Sequence, residues 1–302
     1  MTGTDPRTAR PFGAVGTAMV TPLTADGLGV DLDAAQALAA HVVAHGNDMI
    51  VVSGTTGESP TLSDQEKVDL ARAVREAVGP EVSVLAGVGS YDTAHSVELA
   101  RAHADLGLDG LLVVTPYYSK PGQAGVIAHT EAIADATDLP IMLYDIPGRT
   151  GTALETDTLL RLGEHERILA VKDAKADLQQ AAVVMERSDL VYYSGEDALN
   201  LPWLSIGAAG MVSVVGQVAG DLERAMVEAM DRSGVAAALD AHRRLIPLVE
   251  AIMTRIPGAV AAKTALHLQG VLPNATVRGP LVAADAEQQR ELSAALDAAG
   301  LL

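Results

Sequence analysis

The chain has 302 residues and an apolar fraction of 49%, enough for one large barrel domain with a small appendage or for two medium domains. A formal net charge of -18 makes phosphate backbones and anionic membrane surfaces poor partners, so neither nucleic acid nor membrane is expected, and a site for small anions must carry its own positive groups. There is no cysteine, which excludes disulfides and thiolate metal sites and fits a reducing cytoplasm. Residues 1–10 are polar and read as a disordered arm rather than a secretory signal. Nowhere do about eighteen apolar residues run together, so no membrane span is expected.

Short apolar runs alternate with longer amphipathic stretches. Strands are predicted at 14–20, 49–52, 82–86, 110–114, 141–144, 168–172, 190–193 and 210–215. The helices between and after them fall at 33–45, 63–78, 93–106, 122–136, 156–162, 178–185, 200–206 and 222–230. Ser63 caps the second helix, and Glu66 completes an S-x-x-E capping box. Eight strand–helix units of this length predict a closed (β/α)8 TIM barrel over 1–233. A doubly wound sheet fits less well, because no G-x-G-x-x-G opens a helix: Gly87-Val88-Gly89 lacks the third glycine. After Ser233-Gly234 the strands cease. Helices at 236–256, 259–269 and 284–299 predict a C-terminal three-helix appendage over 234–302.

In such a barrel the reactive groups stand at the C-terminal ends of the strands. Lys172, one of five lysines, ends the apolar run that begins at Ile168. Strand alternation points Leu169 and Val171 at the outer helices and Ala170 and Lys172 into the barrel. A desolvated lysine loses basicity and becomes an amine nucleophile able to form a Schiff base. Position alone leaves open a lysine whose head simply reaches water. Lys67, Lys120, Lys175 and Lys263 lie in helices or loops and read as solvated.

Tyr144 shares the inward parity with Met142, and its phenol is either a proton shuttle or a packed side chain with a bonded hydroxyl. The 54–59 loop offers backbone N–H groups and hydroxyls to an anion such as a carboxylate, although Gly/Thr turns are common. Arg149 follows Pro147-Gly148 and suits either a substrate carboxylate or a structural ion pair. His41 and His45 have metal-ligand spacing, but they end a helix remote from the strand C-termini, where contact with the helix terminus explains them better. No metal site is expected.

Taken together and in order, these loops resemble the dihydrodipicolinate synthases of the N-acetylneuraminate lyase superfamily of class I aldolases. The matching stretches are GTTGES at 54–59, TPYY at 115–118, YDIPGRTG at 144–151, VKDAKAD at 171–177, YYSGEDALN at 192–200 and GMVSV at 210–214. The resemblance implies that Lys172 forms the Schiff base with pyruvate and that Tyr144, Thr55 and Tyr118 form a proton relay. In it, the residue matching Tyr118 reaches in from a neighbouring subunit. Thr56 then matches a pyruvate-carboxylate contact, Arg149 the carboxylate contact of the aldehyde substrate, and Gly195 and Val212 backbone positions lining the site. The implied reaction joins pyruvate to aspartate semialdehyde without any cofactor, in a cytoplasmic homotetramer built as a dimer of dimers.

One departure is Asp145, where the family often has asparagine; it adds a possible negative charge near Arg149. Asp64, Lys67, Tyr91 and His95 replace residues that bind feedback lysine in strongly inhibited relatives, which implies weak or absent inhibition here. The alternative within the superfamily is an aldolase acting on a sialic acid or a 2-keto-3-deoxy sugar acid, and Arg149 with the paired threonines argues against it. A different class of alternative is a barrel that only binds a keto acid, disfavoured by the joint presence of Lys172, Tyr144, Thr55 and Tyr118.

Overall fold

Alternate residues of every strand separate into two apolar sets. Val15, Ile50, Val84, Leu111, Leu143, Val171 and Met211 pack outward with the helices. Met49, Val51, Leu85, Leu112, Met142, Tyr144, Ala170, Tyr193 and Val212 pack together inside. This period of two, with both faces buried, is what a parallel sheet closed on itself requires. The computed structural model describes residues 10–302. Its strands β1 (Val15–Ala18), β2 (Met49–Val52), β3 (Ser83–Gly87), β4 (Gly110–Val114), β5 (Ile141–Asp145), β6 (Ile168–Asp173), β7 (Val191–Ser194) and β8 (Gly210–Ser213) are parallel and close a barrel in sequence order.

Around it run α1 (Leu32–Ala44), α2 (Asp64–Ala77), α3 (Thr93–His103), α4 (Gln123–Ala134), a single turn α5 (Pro147–Thr150), α6 (Thr156–Leu162), α7 (Leu178–Arg187), α8 (Asn200–Ser205) and α9 (Gly216–Ser233). The predicted capping box forms, with Ser63 accepting from the Glu66 N–H and Glu66 accepting from the Ser63 N–H. The helix expected at 222–230 is longer and bends at Ala219. Gly220 there lies so close to the His45 carbonyl that a Cβ would stand 2.2 Å from it. The C-terminal helices are α10 (Val235–Met253), α11 (Gly258–Leu268) and α12 (Ala286–Ala299). They pack on one another and on α8 and α9 of the barrel layer, and Lys263 of α11 reaches the loop after β2.

The N-terminal end of the barrel is plugged. Phe12 is buried in the interior set, and Gly110 leaves room for its ring, since a Cβ there would come within 2.9 Å of it. The Tyr193 hydroxyl accepts from the Phe12 N–H and donates to the Gly13 carbonyl. The opposite end stays open. Of the stretch expected as a disordered arm, residues 1–9 lie outside the described residues. Arg10, however, is anchored by Asp231, at 2.8 Å, and the Ala209 carbonyl. Among the described residues no single helix is long and apolar enough to cross a membrane.

Two expectations about facing residues need correction. The β5–β6 register shifts between Ile141 and Met142, which pair with Ile168 and Ala170. Leu169 is the extra residue and packs against the interior set instead of the outer helices. Such a bulge resets the alternation, and from Ala170 onward the expected parity holds. Three of the lysines read as solvated are not free. Lys263 is fully buried against Glu58, Lys67 is buried beside Asp64, and Lys175 is ion-paired with Asp145 at 2.9 Å. Lys120 is exposed.

Candidate active site

Strands β5, β6 and β7 bring Tyr144, Lys172 and Tyr193 side by side, Tyr144 in register with Lys172 and Lys172 with Tyr193. Tyr193 closes the floor. Lys172 is only 5% exposed, and its Nζ lies 4.3 Å from the centroid of the Tyr144 ring. Gly195 follows β7, and its backbone lies against Lys172: a Cβ would stand 3.0 Å from Lys172 Cγ. Its N–H donates to the Asp173 carbonyl at 2.7 Å. Val212 fills the interior beside this group.

Tyr144, though not Lys172, Tyr193, Gly195 or Val212, lines a cavity of about 230 Å³, together with Gly54, Thr55, Ser59, Tyr117 and Arg149 among others. Thr55 and Tyr144 line the cavity together, and Thr55 lowers the pKa of the Tyr144 phenol. Thr56 is buried within the same turn but off the cavity wall. The turn is held by Glu58 N–H to Thr55 carbonyl and Ser59 N–H to Gly54 carbonyl bonds, and by the Thr21 hydroxyl on the Gly57 carbonyl at 2.7 Å. Arg149 is carried by the single helical turn α5 rather than by the loop that Pro147-Gly148 predicts. Its guanidinium has no ion-pair partner among the described residues, so the structural-pair reading has no support. An arginine so placed gives a strongly acidic protein a local cation for small anions.

Burial dominates the electrostatics. It lowers the Lys172 ammonium from 10.5 to about 8, with Arg149 pushing the same way and Asp197 opposing. Compared with a solvated lysine, the free-amine fraction near neutrality rises by roughly two orders of magnitude or more. Burial also pushes the Tyr144 phenol up to about 12, against the pull of Thr55 and Arg149. Tyr144 therefore rests neutral, as a proton donor. Among the described residues no group of three or more histidine or acidic side chains could hold a metal. His45 instead contacts Asp221 at 2.7 Å, and its ring lies 4.4 Å from that of His41.

The chain matches the model of the dihydrodipicolinate synthetase family over residues 11–299. The chain belongs to that family. It is 57% identical to a 4-hydroxy-tetrahydrodipicolinate synthase of Kineococcus radiotolerans, over 99% of this chain and 97% of that one. It is 56% identical to that of Acidothermus cellulolyticus, over 96% and 93%. The crystal structure of the family member from Cyanidioschyzon merolae, with lysine bound, superposes with a TM-score of 0.94 at 42% identity, covering 97% of this chain and all of that one.

Against the family pattern, one protomer brings together Lys172, Tyr144, Thr55 and Arg149, with Thr56, Gly195 and Val212 in the adjoining shell. Tyr118 is not among them. It is 93% exposed, at a φ of 69°, and Tyr117 lines the cavity instead, edge-on to Tyr91. Asp145 does not approach Arg149 as expected. One residue beyond Tyr144, it points out of the barrel, fully buried on Lys175 and the Leu154 N–H. Two acids escaped the sequence reading. Asp197 is buried, accepting from the Ser213 hydroxyl and from the Val214 and Val215 N–H groups. Asn200 donates to both Asp197 and Glu223. Burial holds both carboxyls above their usual range. The signal for Asp197 is the SGED stretch at 194–197, where an acidic pair follows a strand; Glu223 has no such local mark.

Proposed function

We propose that this enzyme condenses pyruvate with L-aspartate semialdehyde to give 4-hydroxy-tetrahydrodipicolinate, in lysine and diaminopimelate biosynthesis, through a Schiff base on Lys172. The observation that carries this reading is the buried Lys172 amine against Tyr144, whose side chain shares a cavity wall with Arg149, itself without an ion-pair partner among the described residues. The Lys172 amine adds to the pyruvate ketone carbon, and the carbinolamine loses water to give an imine. Loss of a methyl proton turns the imine into an enamine, whose carbon attacks the aldehyde of the second substrate. That substrate's own amine then displaces Lys172 and closes the ring. Neutral Tyr144, beside Thr55 on the cavity wall, supplies and recovers protons at the oxygen atoms. Thr56 and the backbone at Gly195 and Val212 receive pyruvate, and Arg149 receives the aldehyde substrate's carboxylate.

The proposed assembly is a cytoplasmic homotetramer, a dimer of dimers in which Tyr118 enters the neighbour's relay. In its support, the aromatic side chain is exposed on its own protomer, where an apolar ring has nothing to pack against. Catalysis is assigned to 1–233, with 234–302 as an appendage. We also propose weak or absent inhibition by lysine, supported by the occupation of Asp64, whose carboxylate meets His95 at 2.8 Å and Lys67 at 3.5 Å. Turnover of pyruvate with aspartate semialdehyde, compared with sugar aldehydes in a coupled assay, tests the reaction. Preference for a sugar aldehyde would replace it with the sugar-acid aldolase reading, which no feature of the site favours.

A further inference from the structure

Glu58 is the last acid one would place in a loop that must bind an anion. It sits within GTTGES, three residues after Thr55, and is buried. Its backbone is left-handed, at φ 56° and ψ 32°, a region that side chains with a Cβ avoid. A conformation of that kind persists only where surrounding contacts hold it.

Those contacts come from the other end of the chain. The Glu58 carboxylate turns away from the cavity. One oxygen is ion-paired with Lys263 of α11, and both side chains are essentially inaccessible to water. The other accepts from the Arg278 N–H at 2.8 Å. Lys263 completes its own shell on the Thr276 carbonyl, also at 2.8 Å. The Arg278 side chain then clamps the rest of the loop. It donates to the Thr61 carbonyl at 2.9 Å and to the Gly27 and Leu28 carbonyls, and it forks onto Glu66. A buried pair with satisfied partners tolerates one geometry, whereas an apolar contact would tolerate many.

The turn hung on this anchor is the one that carries Thr55 and Thr56. Glu58 closes it with its N–H on the Thr55 carbonyl at 3.1 Å. We propose that Glu58, anchored by Lys263, is a positioning residue for pyruvate binding, and that the helical appendage thereby sets the geometry of the Thr55–Thr56 turn. The proposal rests on the reading of Thr56 as a pyruvate-carboxylate contact. Glu58 itself touches no substrate and bears on the reaction only through the threonines.

The test compares Glu58→Gln, Lys263→Met and the double variant with the parent enzyme. Either single change strands one buried charge, so thermal stability falls. The double variant removes both charges, and its stability recovers most of that loss. The Glu58–Lys263 ion pair is absent from all three. The KM for pyruvate is expected to rise by about tenfold or more in each, because a small misplacement of a binding group is costly. The KM for aspartate semialdehyde is expected to stay within about twofold. A stable double variant with the parent's pyruvate KM would overturn the proposal. So would equal changes for both substrates.

Thr56→Ala separates the two levels. An unchanged pyruvate KM in Thr56→Ala removes the reading beneath the proposal, and a raised one beside normal Glu58 variants removes the proposal alone. Amide exchange on the parent enzyme gives a result independent of how the variants fold. Pyruvate should slow exchange in 54–61 and in 258–268 together, and protection confined to 54–61 would overturn the coupling.

Discussion

Lys172 lies over the face of the Tyr144 ring, its Nζ 4.3 Å from the centroid. The ring face favours a cation there by about 0.5–2 kcal/mol, which works against burial. Burial wins, since the net shift is downward to about 8. The ring thus steadies a lysine that is protonated at rest yet close to releasing its proton, and the same face can receive a protonated imine.

If Lys172 is the nucleophile, borohydride added with pyruvate should leave a covalent adduct on it. Peptide mass mapping checks this, and an adduct on Lys120 or Lys175 would remove the mechanism. Lys172→Ala should stay folded and lose nearly all turnover.

The rate should follow the free amine. Because burial lowers the Lys172 value from 10.5 to about 8, kcat/KM for pyruvate should climb as pH rises toward about 8 and level off above it. Asp197 pulls that value up, so Asp197→Asn should move the rising limb to lower pH. A limb near that of free lysine, or a shift to higher pH in the variant, contradicts the electrostatic account.

Arg149 has no protein counter-ion among the described residues, so its loss should be felt by the substrate rather than by the fold. Arg149→Ala is expected to keep its melting temperature. It should lose about 1.5–3 kcal/mol of transition-state binding, roughly ten- to a hundredfold in kcat/KM for aspartate semialdehyde, with pyruvate affected much less. Near-parental kinetics would take Arg149 out of the site.

Tyr118 and Tyr144 offer a complementation test. Tyr118→Phe and Tyr144→Phe should each be impaired, and mixed subunits should regain activity at sites that combine one intact residue from each parent. Verified subunit exchange without recovery would show that the relay is not shared.

Lysine titrated at saturating pyruvate should inhibit weakly. The Asp64 carboxylate, the acid nearest to hand for an incoming ammonium, already holds His95 and Lys67. Half-inhibition at submillimolar lysine would show that these contacts yield to the ligand.

The sequence by itself determined the barrel, the capping box and the inward parity of Tyr144 and Lys172. Each follows from local periodicity or from side chains a few residues apart, and the loop motifs carried the family. Tertiary structure decided what surrounds them. Leu169 turned inward because the β5–β6 register slips, a property of two strands rather than one. Lys263 reads as a solvated helical lysine until Glu58, 205 residues away in sequence, is brought against it. Asp145 and Lys175 likewise cancel each other behind the strands instead of reaching Arg149 or water. Whether a charge is solvated depends on which distant segment covers it, and that is settled only when the chain has closed.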